Sequence, residues 1–424
     1  MHSIRLPWRG LSRAVALAAL MAIAGSGVAP SFAQTPAPPA AAPQNAFRPE
    51  IAAPLQAAEE LIRARKFDDA LAKIRLTDAV PDRTPAENLA IDRMRGIAAS
   101  GAGDIPTATR SFEAVVAAGR LEPADKARMV EVLAQLHFQA KDYAKAVAWS
   151  TQYLKDGGTN PEMRWLLIRS YYLADDCANA ARELRAVVDA DAKAGTAPQL
   201  ERLQLLASCY AKLGDNAGSA FALEKMLVYH PSREFWAEAI RRVETGPGFA
   251  ERLQLDLLRL RQATGTLRGT ADYGAMSQLA LAAGLPAEAK RISDQGFAAG
   301  LLGTGAEAEQ QRRLRDTAAK QMAEDEKQLP LSAKAAGAAP DGTALVNVGF
   351  AYASAGRYDN GLALMEQGMK KGGLKRPDDA KLHLALAYLG AGEKARALAA
   401  LREVGGTDGT ADLARLWSIH AQRP

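Results

Sequence analysis

The chain has 424 residues, of which 48% are hydrophobic, 24% charged and 6% aromatic, a composition that excludes an intrinsically disordered polypeptide. Its formal charge of +5 falls to +2 when Arg5, Arg9 and Arg13 are set aside, because 50 basic side chains then face 48 acidic ones. That balance carries no global signature for nucleic acid. Two cysteines and five histidines exclude a multi-disulfide scaffold, a cysteine-rich zinc module and a histidine-built metal centre.

Residues 1–33 read as a secretory signal peptide. Arg5, Arg9 and Arg13 form a basic start, residues 14–24 an unbroken apolar run, and Ser31, Phe32 and Ala33 a small-residue cleavage site before Gln34. The apolar run is well short of the ~20 residues that span a bilayer, and no later segment is long and apolar enough to cross one. The expectation is an exported protein, periplasmic in location, with no membrane insertion after cleavage. Residues 34–50 hold Pro36, Pro38, Pro39, Pro43 and Pro49 and read as an extended Pro/Ala-rich linker.

From Ile51 onward one pattern recurs: an amphipathic helix, a short turn, and a second helix that opens near a small residue. In residues 203–231, Leu203, Leu206, Ala207 and Tyr210 share one helical face, Gly214 and Asp215 make the turn, Ser219, Leu223 and Met226 line the second helix, and Pro231 stops it. Small residues on the second helix admit the partner backbone, and large ones fill the gap between. Further copies include Leu345, Gly349, Tyr352, Gly356, Gly361 and Met365, and then Leu384, Ala385, Tyr388, Gly392, Ala397 and Leu401.

This unit resembles the tetratricopeptide repeat. Aligned on the small residue that opens the second helix, the copies fall at Ala70, Ala108, Ala146, Ala180, Ser219, Ala289, Gly361 and Ala397. By subtraction the steps are 38, 38, 34, 39, 70, 72 and 36 residues, and the two long ones are near twice the family period of ~34. The resemblance implies an all-α, right-handed superhelical solenoid of antiparallel helix hairpins, about nine repeats with a C-terminal capping helix. The expected organisation is repeats over 51–304, with 232–264 atypical around Gly246, Pro247 and Gly248. A charged helix and flexible linker follow over 305–341, then a repeat pair and capping helix over 342–424. The copy containing Asp92 and Arg95, where large apolar residues belong, departs most from the pattern. Residues 412–421, with Leu413, Leu416, Trp417 and His420 on one side, fit the cap over Leu382 and Leu386.

No catalytic constellation is present: the chain contains no HExxH and no GxSxG, and no GxGxxG opens a helix after a strand. His137 falls at a core position of its helix, and neither His230 nor His383 sits in a recognisable catalytic motif. No cofactor and no metal site is expected. Cys177 and Cys209 lie on consecutive units and admit two readings, a disulfide worth roughly 3–4 kcal/mol or two buried thiols. The exported setting tips the balance slightly toward the bridge. The cluster of Lys370, Lys371, Lys375 and Arg376 complements the negative end of a helix dipole.

By the resemblance, the inner face is lined by first-helix residues off the core stripe. Trp165, Arg169 and Tyr172, at i, i+4 and i+7, occupy those positions, and Phe138 takes the corresponding place one unit earlier. An arginine between aromatics suits recognition of a protein or peptide partner. The expected function is a non-enzymatic scaffold or adaptor holding a protein segment in its groove, accessory to a cell-envelope assembly, transport or secretion system. Two alternatives stand beside it: binding of a polysaccharide or peptidoglycan fragment, and an enzyme with its site in the irregular 232–341 region.

Overall fold

The computed structural model describes residues 47–423; the signal sequence 1–33 and residues 34–46 of the linker lie outside them. The described residues form 20 α-helices and no strand. Two compact units divide the chain, one ending at Ala186 and the other starting at Val187.

In the first unit α1 (Pro49–Arg63) pairs with α2 (Phe67–Arg75), α3 (Pro85–Ala102) with α4 (Ile105–Ala117), and α5 (Pro123–Gln139) with α6 (Tyr143–Lys155). Next come α7 (Pro161–Leu173) and the start of α8 (Cys177–Lys193), in which the chain passes to the second unit. The four first helices of these hairpins open on proline, whose fixed φ suits a position where the N–H has no intrahelical partner anyway. Pro49 is one of them, so the end of the expected linker is already helical. Arg48 ties this start down, reaching Glu87 Oε1 and Oε2 at 2.9 Å each.

The turns obey one rule. Arg65, Gly103, Lys141, Asp175, Gly214, Gly284, Gly356 and Gly392 are all left-handed, with φ from 58° to 80°. Each lies five residues before one of the eight small residues aligned in the sequence. At Lys141 the motif is explicit: the Asp142 N–H donates to the His137 carbonyl at 2.9 Å, closing α5. Asp142 then caps α6 by accepting from Lys145 N–H at 3.1 Å. Asp104, Asp176 and Asp215 repeat that cap. Five of the eight left-handed sites are glycine, the residue that adopts this conformation without steric cost.

The close helix approach follows from the small residues. Ala70, Ala108, Ala146, Ala180, Ala289 and Ala397 are completely buried. A Cβ on Gly96 would lie 2.4 Å from the Phe112 ring, and one on Gly361 only 2.7 Å from the Gly349 carbonyl oxygen. The copy with Asp92 and Arg95 is therefore a true hairpin. Its missing apolar side chains are replaced by ions, with Arg95 2.6 Å from Asp78 and 3.4 Å from Asp92. First helices of successive hairpins also meet, α1 with α3 and α5 with α7.

The second unit continues with α9 (Leu200–Lys212) and α10 (Asn216–Tyr229), then α11 (Arg233–Glu244) and α12 (Gln254–Ala263), then α13 (Thr270–Ala282) and α14 (Pro286–Ala298). A single long helix, α15 (Ala308–Ala338), follows. After it come α16 (Thr343–Ser354) with α17 (Tyr358–Lys371), α18 (Pro377–Gly390) with α19 (Lys394–Arg402), and α20 (Thr410–Gln422). The 20 helices thus make nine successive pairs, with α15 and α20 unpaired. The irregular pair α11 and α12 does flank Gly246, Pro247 and Gly248. The flexible linker expected after the charged helix is corrected: α15 runs to Ala338 despite Pro330 inside it. Alanine, the best helix former, occupies four of its last six positions, and Lys371 Nζ caps its end by donating to the carbonyls of Gly337 and Ala339. That lysine belongs to the basic cluster, so the cluster serves the end of a neighbouring helix.

α20 does more than cap. It packs on α18 and α19, as expected, and also on α10, α11 and α12. Leu413, Leu416, Trp417, Ile419 and Ala421 are all buried, which a helix covering only a terminal face would not achieve.

Gly361→Ala tests the small-residue constraint. Its new methyl must push backbone rather than a flexible side chain, so chemical denaturation of the variant should show a loss of about 1–3 kcal/mol. Unchanged stability would mean that the α16–α17 seam is looser than described.

Candidate functional site

Two regions present chemistry, one in each unit. In the first, α5 and α7 bring Phe138 and Arg169 together: the Arg169 guanidinium sits 4.8 Å from the centre of the Phe138 ring. Phe138 also meets Tyr143 edge-on at 5.6 Å. Trp165 and Tyr172 lie on α7 about one turn either side of Arg169, and all four expected groove residues are half-buried, as a lining rather than a core requires. A guanidinium placed over an aromatic ring gains a cation–π contact with it. His137, next to Phe138, is a buried structural residue. Its Nε2 lies 3.0 Å from Glu113 Oε1, and Lys145 Nζ reaches the same oxygen at 3.1 Å. Cys177 and Cys209 are both buried thiols in the structure, the packing reading, so the slight preference for a bridge is corrected. Each fills a small apolar position of its own helix, Cys177 in the first unit and Cys209 in the second.

The region that sequence reasoning missed lies in the second unit. Every residue of α12 from 255 to 261 is buried, four leucines together with Asp256, Arg259 and Arg261. Such charges survive burial only when paired. Arg259 donates to Glu288 through two bonds of 2.8 and 2.6 Å and to Asp256 at 2.6 Å. His383 on α18 lies 3.1 and 3.2 Å from the two Asp256 oxygens. Phe350 on α16 stacks on His383 at 4.4 Å and has Arg259 4.9 Å from its ring centre. Arg261 reaches Glu244 at 2.7 Å and Asp272 at 3.4 Å. Just before α12, Arg252 grips Asp379 with two bonds of 2.8 Å and Asp408 at 2.6 Å. These bonds fasten α12 to α14, α18 and the approach to α20.

Beside this network opens a cavity of about 640 Å³, a size typical of small ligand sites. Arg259, Gln262, Glu288 and Arg291 contribute its polar side, and Phe350, Leu386, Leu389 and Trp417 its apolar side. Part of this wall comes from the 232–341 region. The carboxylate–arginine–histidine cluster there has the parts of an acid–base site but not the disposition: both carboxylates are occupied by Arg259 or His383, and the His383 ring is covered by Phe350. Among the described residues no group of three or more His, Cys, Asp or Glu side chains is placed to hold a metal ion.

The network fixes the response to acid. Burial opposes ionisation of Asp256, but His383 and Arg259 override it and hold its carboxyl at about 2. Burial likewise opposes ionisation of Glu288, and Arg259 again wins, lowering it. Asp408 is lowered by its bonds from Thr410 and Arg252. Carboxyls depressed in the folded state contribute stability that is complete above the ordinary carboxylate range and is lost as pH falls below about 4 toward 2. Acid titration followed by circular dichroism should therefore show unfolding in that window. Asp256→Asn, which leaves Arg259 and His383 short of a buried anion, should be less stable at neutral pH by about 3 kcal/mol. A variant as stable as the natural protein at pH 7 would contradict the network.

The tetratricopeptide-repeat family model matches residues 93–161 and 349–409, the first stretch starting inside α3 just after Asp92. No protein of curated function matches the chain. Among solved structures, a tetratricopeptide repeat protein from Parabacteroides merdae is 12% identical over 78% of this chain and 98% of its own, with a TM-score of 0.27. Yeast Tom70 is 13% identical over 88% and 95%, with a TM-score of 0.22. A Naa15/Naa10 structure bound to HypK-THB is 15% identical over 84% and 58%, with a TM-score of 0.30. Whole-chain superposition at these scores carries no weight; the repeat matches and the helix pairs do. Over those two stretches the chain is similar to the tetratricopeptide repeat.

Proposed function

We propose that this chain is an exported, non-enzymatic scaffold that holds a segment of a partner protein against the first helices of its stacked hairpins. A repeat array whose helices are spent on packing one another has its first-helix surface left for recognition. The observation that carries the reading is the α5–α7 face, where Arg169 lies on Phe138 with Trp165 and Tyr172 on the same helix. Large aromatics with an arginine concentrate binding energy when a partner desolvates them. The signal-like sequence 1–33 supports export, and among the described residues no helix is long and apolar enough to cross a membrane. A periplasmic place, as accessory to an envelope assembly, transport or secretion system, fits that address and this fold.

An affinity capture from an envelope fraction, comparing the natural protein with Arg169→Glu, tests the reading. The variant should fold, as judged by its thermal melt, and should retain a specific partner about tenfold less well. Equal recovery with both proteins would remove the α5–α7 face from the function.

A further inference from the structure

We propose that the cavity of the second unit binds an extended peptide segment in which a carboxylate side chain neighbours a bulky apolar one. The proposal rests on the scaffold reading above and names the ligand chemistry of a second surface. Its grounds are the charges and walls of the cavity.

Three ionic side chains line it, Arg259, Glu288 and Arg291. Two of them are spent. Arg259 and Glu288 are both buried, are joined by two hydrogen bonds, and Arg259 is also held by Asp256. Arg291 differs. It is exposed on α14, its guanidinium donates to the Ser354 carbonyl at 3.0 Å, and it joins no ion pair among the described residues. Arg291 is thus the exposed cation of the cavity, held in direction by the Ser354 bond, and its charge also acts on Glu288. A planar guanidinium so held suits a carboxylate.

Leu386 and Leu389 on α18 and Trp417 on α20 line the same cavity. Gln262 and Gln295, paired at 2.6 Å, keep an amide hydrogen and acceptor lone pairs for a ligand backbone. A cation, aliphatic and aromatic surface, and amides in one cavity suit a peptide side-chain pair. Phe350 is already engaged by Arg259 and His383, while Tyr273, Tyr358 and Trp417 also line the wall, so a glycan is the competing ligand that the test must separate.

Selection of a random displayed peptide library on the full chain, run beside a glycan array, tests the proposal. The enriched peptides should carry Asp or Glu next to Leu, Ile, Phe or Trp. By fluorescence anisotropy the consensus peptide should bind Arg291→Ala about tenfold more weakly and Arg291→Glu not measurably. Arg169→Glu should bind it as the natural protein does. Because Arg291 is exposed, these variants leave the core intact, which thermal melts will check. Peptides lacking the acid–apolar pair, or equal binding by Arg291→Glu, would overturn the cavity assignment while leaving the scaffold reading in place. Enrichment of no peptide would overturn it too, with the scaffold reading then judged by the envelope capture alone. Glycan binding that disappears in Arg291→Glu would overturn it in favour of a sugar ligand.

Discussion

A helix pair can come close only where one side chain shrinks to a methyl or a hydrogen, and this constraint recurs eight times along the chain. The small residue opening each second helix is matched, five positions earlier, by a left-handed residue that ends the first helix. Turn and seam are thus one device: the left-handed residue reverses the chain, and the small residue lets the reversed helix lie against its partner. Where glycine is absent from the turn, as at Arg65, Lys141 and Asp175, the backbone adopts the same conformation at some steric cost because the packed hairpin on either side demands it. Stacking the hairpins then brings successive first helices together, α1 with α3 and α5 with α7.

The second unit adds a different principle. An ordinary repeat contacts its neighbours in order, whereas α12 is enclosed, with partners up to α18 and α20. Enclosure forces its charged side to be satisfied internally, and Asp256, Arg259, Glu288 and His383 do so as one network. Pairs of this kind are specific rather than strongly stabilising. They fix which helices surround α12, and so they fix the walls of the cavity next to it. The C-terminal helix completes that wall through Trp417, making a residue that reads as a simple cap part of a site.

Much of this was legible in the sequence. Local spacing revealed the hairpins, the period and the atypical pair around Gly246 to Gly248, because all of these depend on residues within about forty positions of one another. The face formed by Trp165, Arg169 and Tyr172 follows from helical periodicity, and Phe138 from the repeat. The cavity was not legible. His383 lies 127 residues from Asp256, and the carboxylate at helical spacing from it is Asp379, so nothing local marks Asp256 as its partner. The continuation of α15 through Pro330 was hidden because a proline and glycines read as a linker, while its alanines and the capping Lys371 act from the helical side.

Native-state hydrogen exchange tests the enclosure of α12 most directly. If α12 is the centre on which the second unit is built, the amides of residues 255–261 will be among its slowest to exchange and will open only with global unfolding of that unit. Exchange there as fast as in the surface-exposed turns of α15 would show that α12 opens independently, and the network and the cavity walls it sets would lose their foundation.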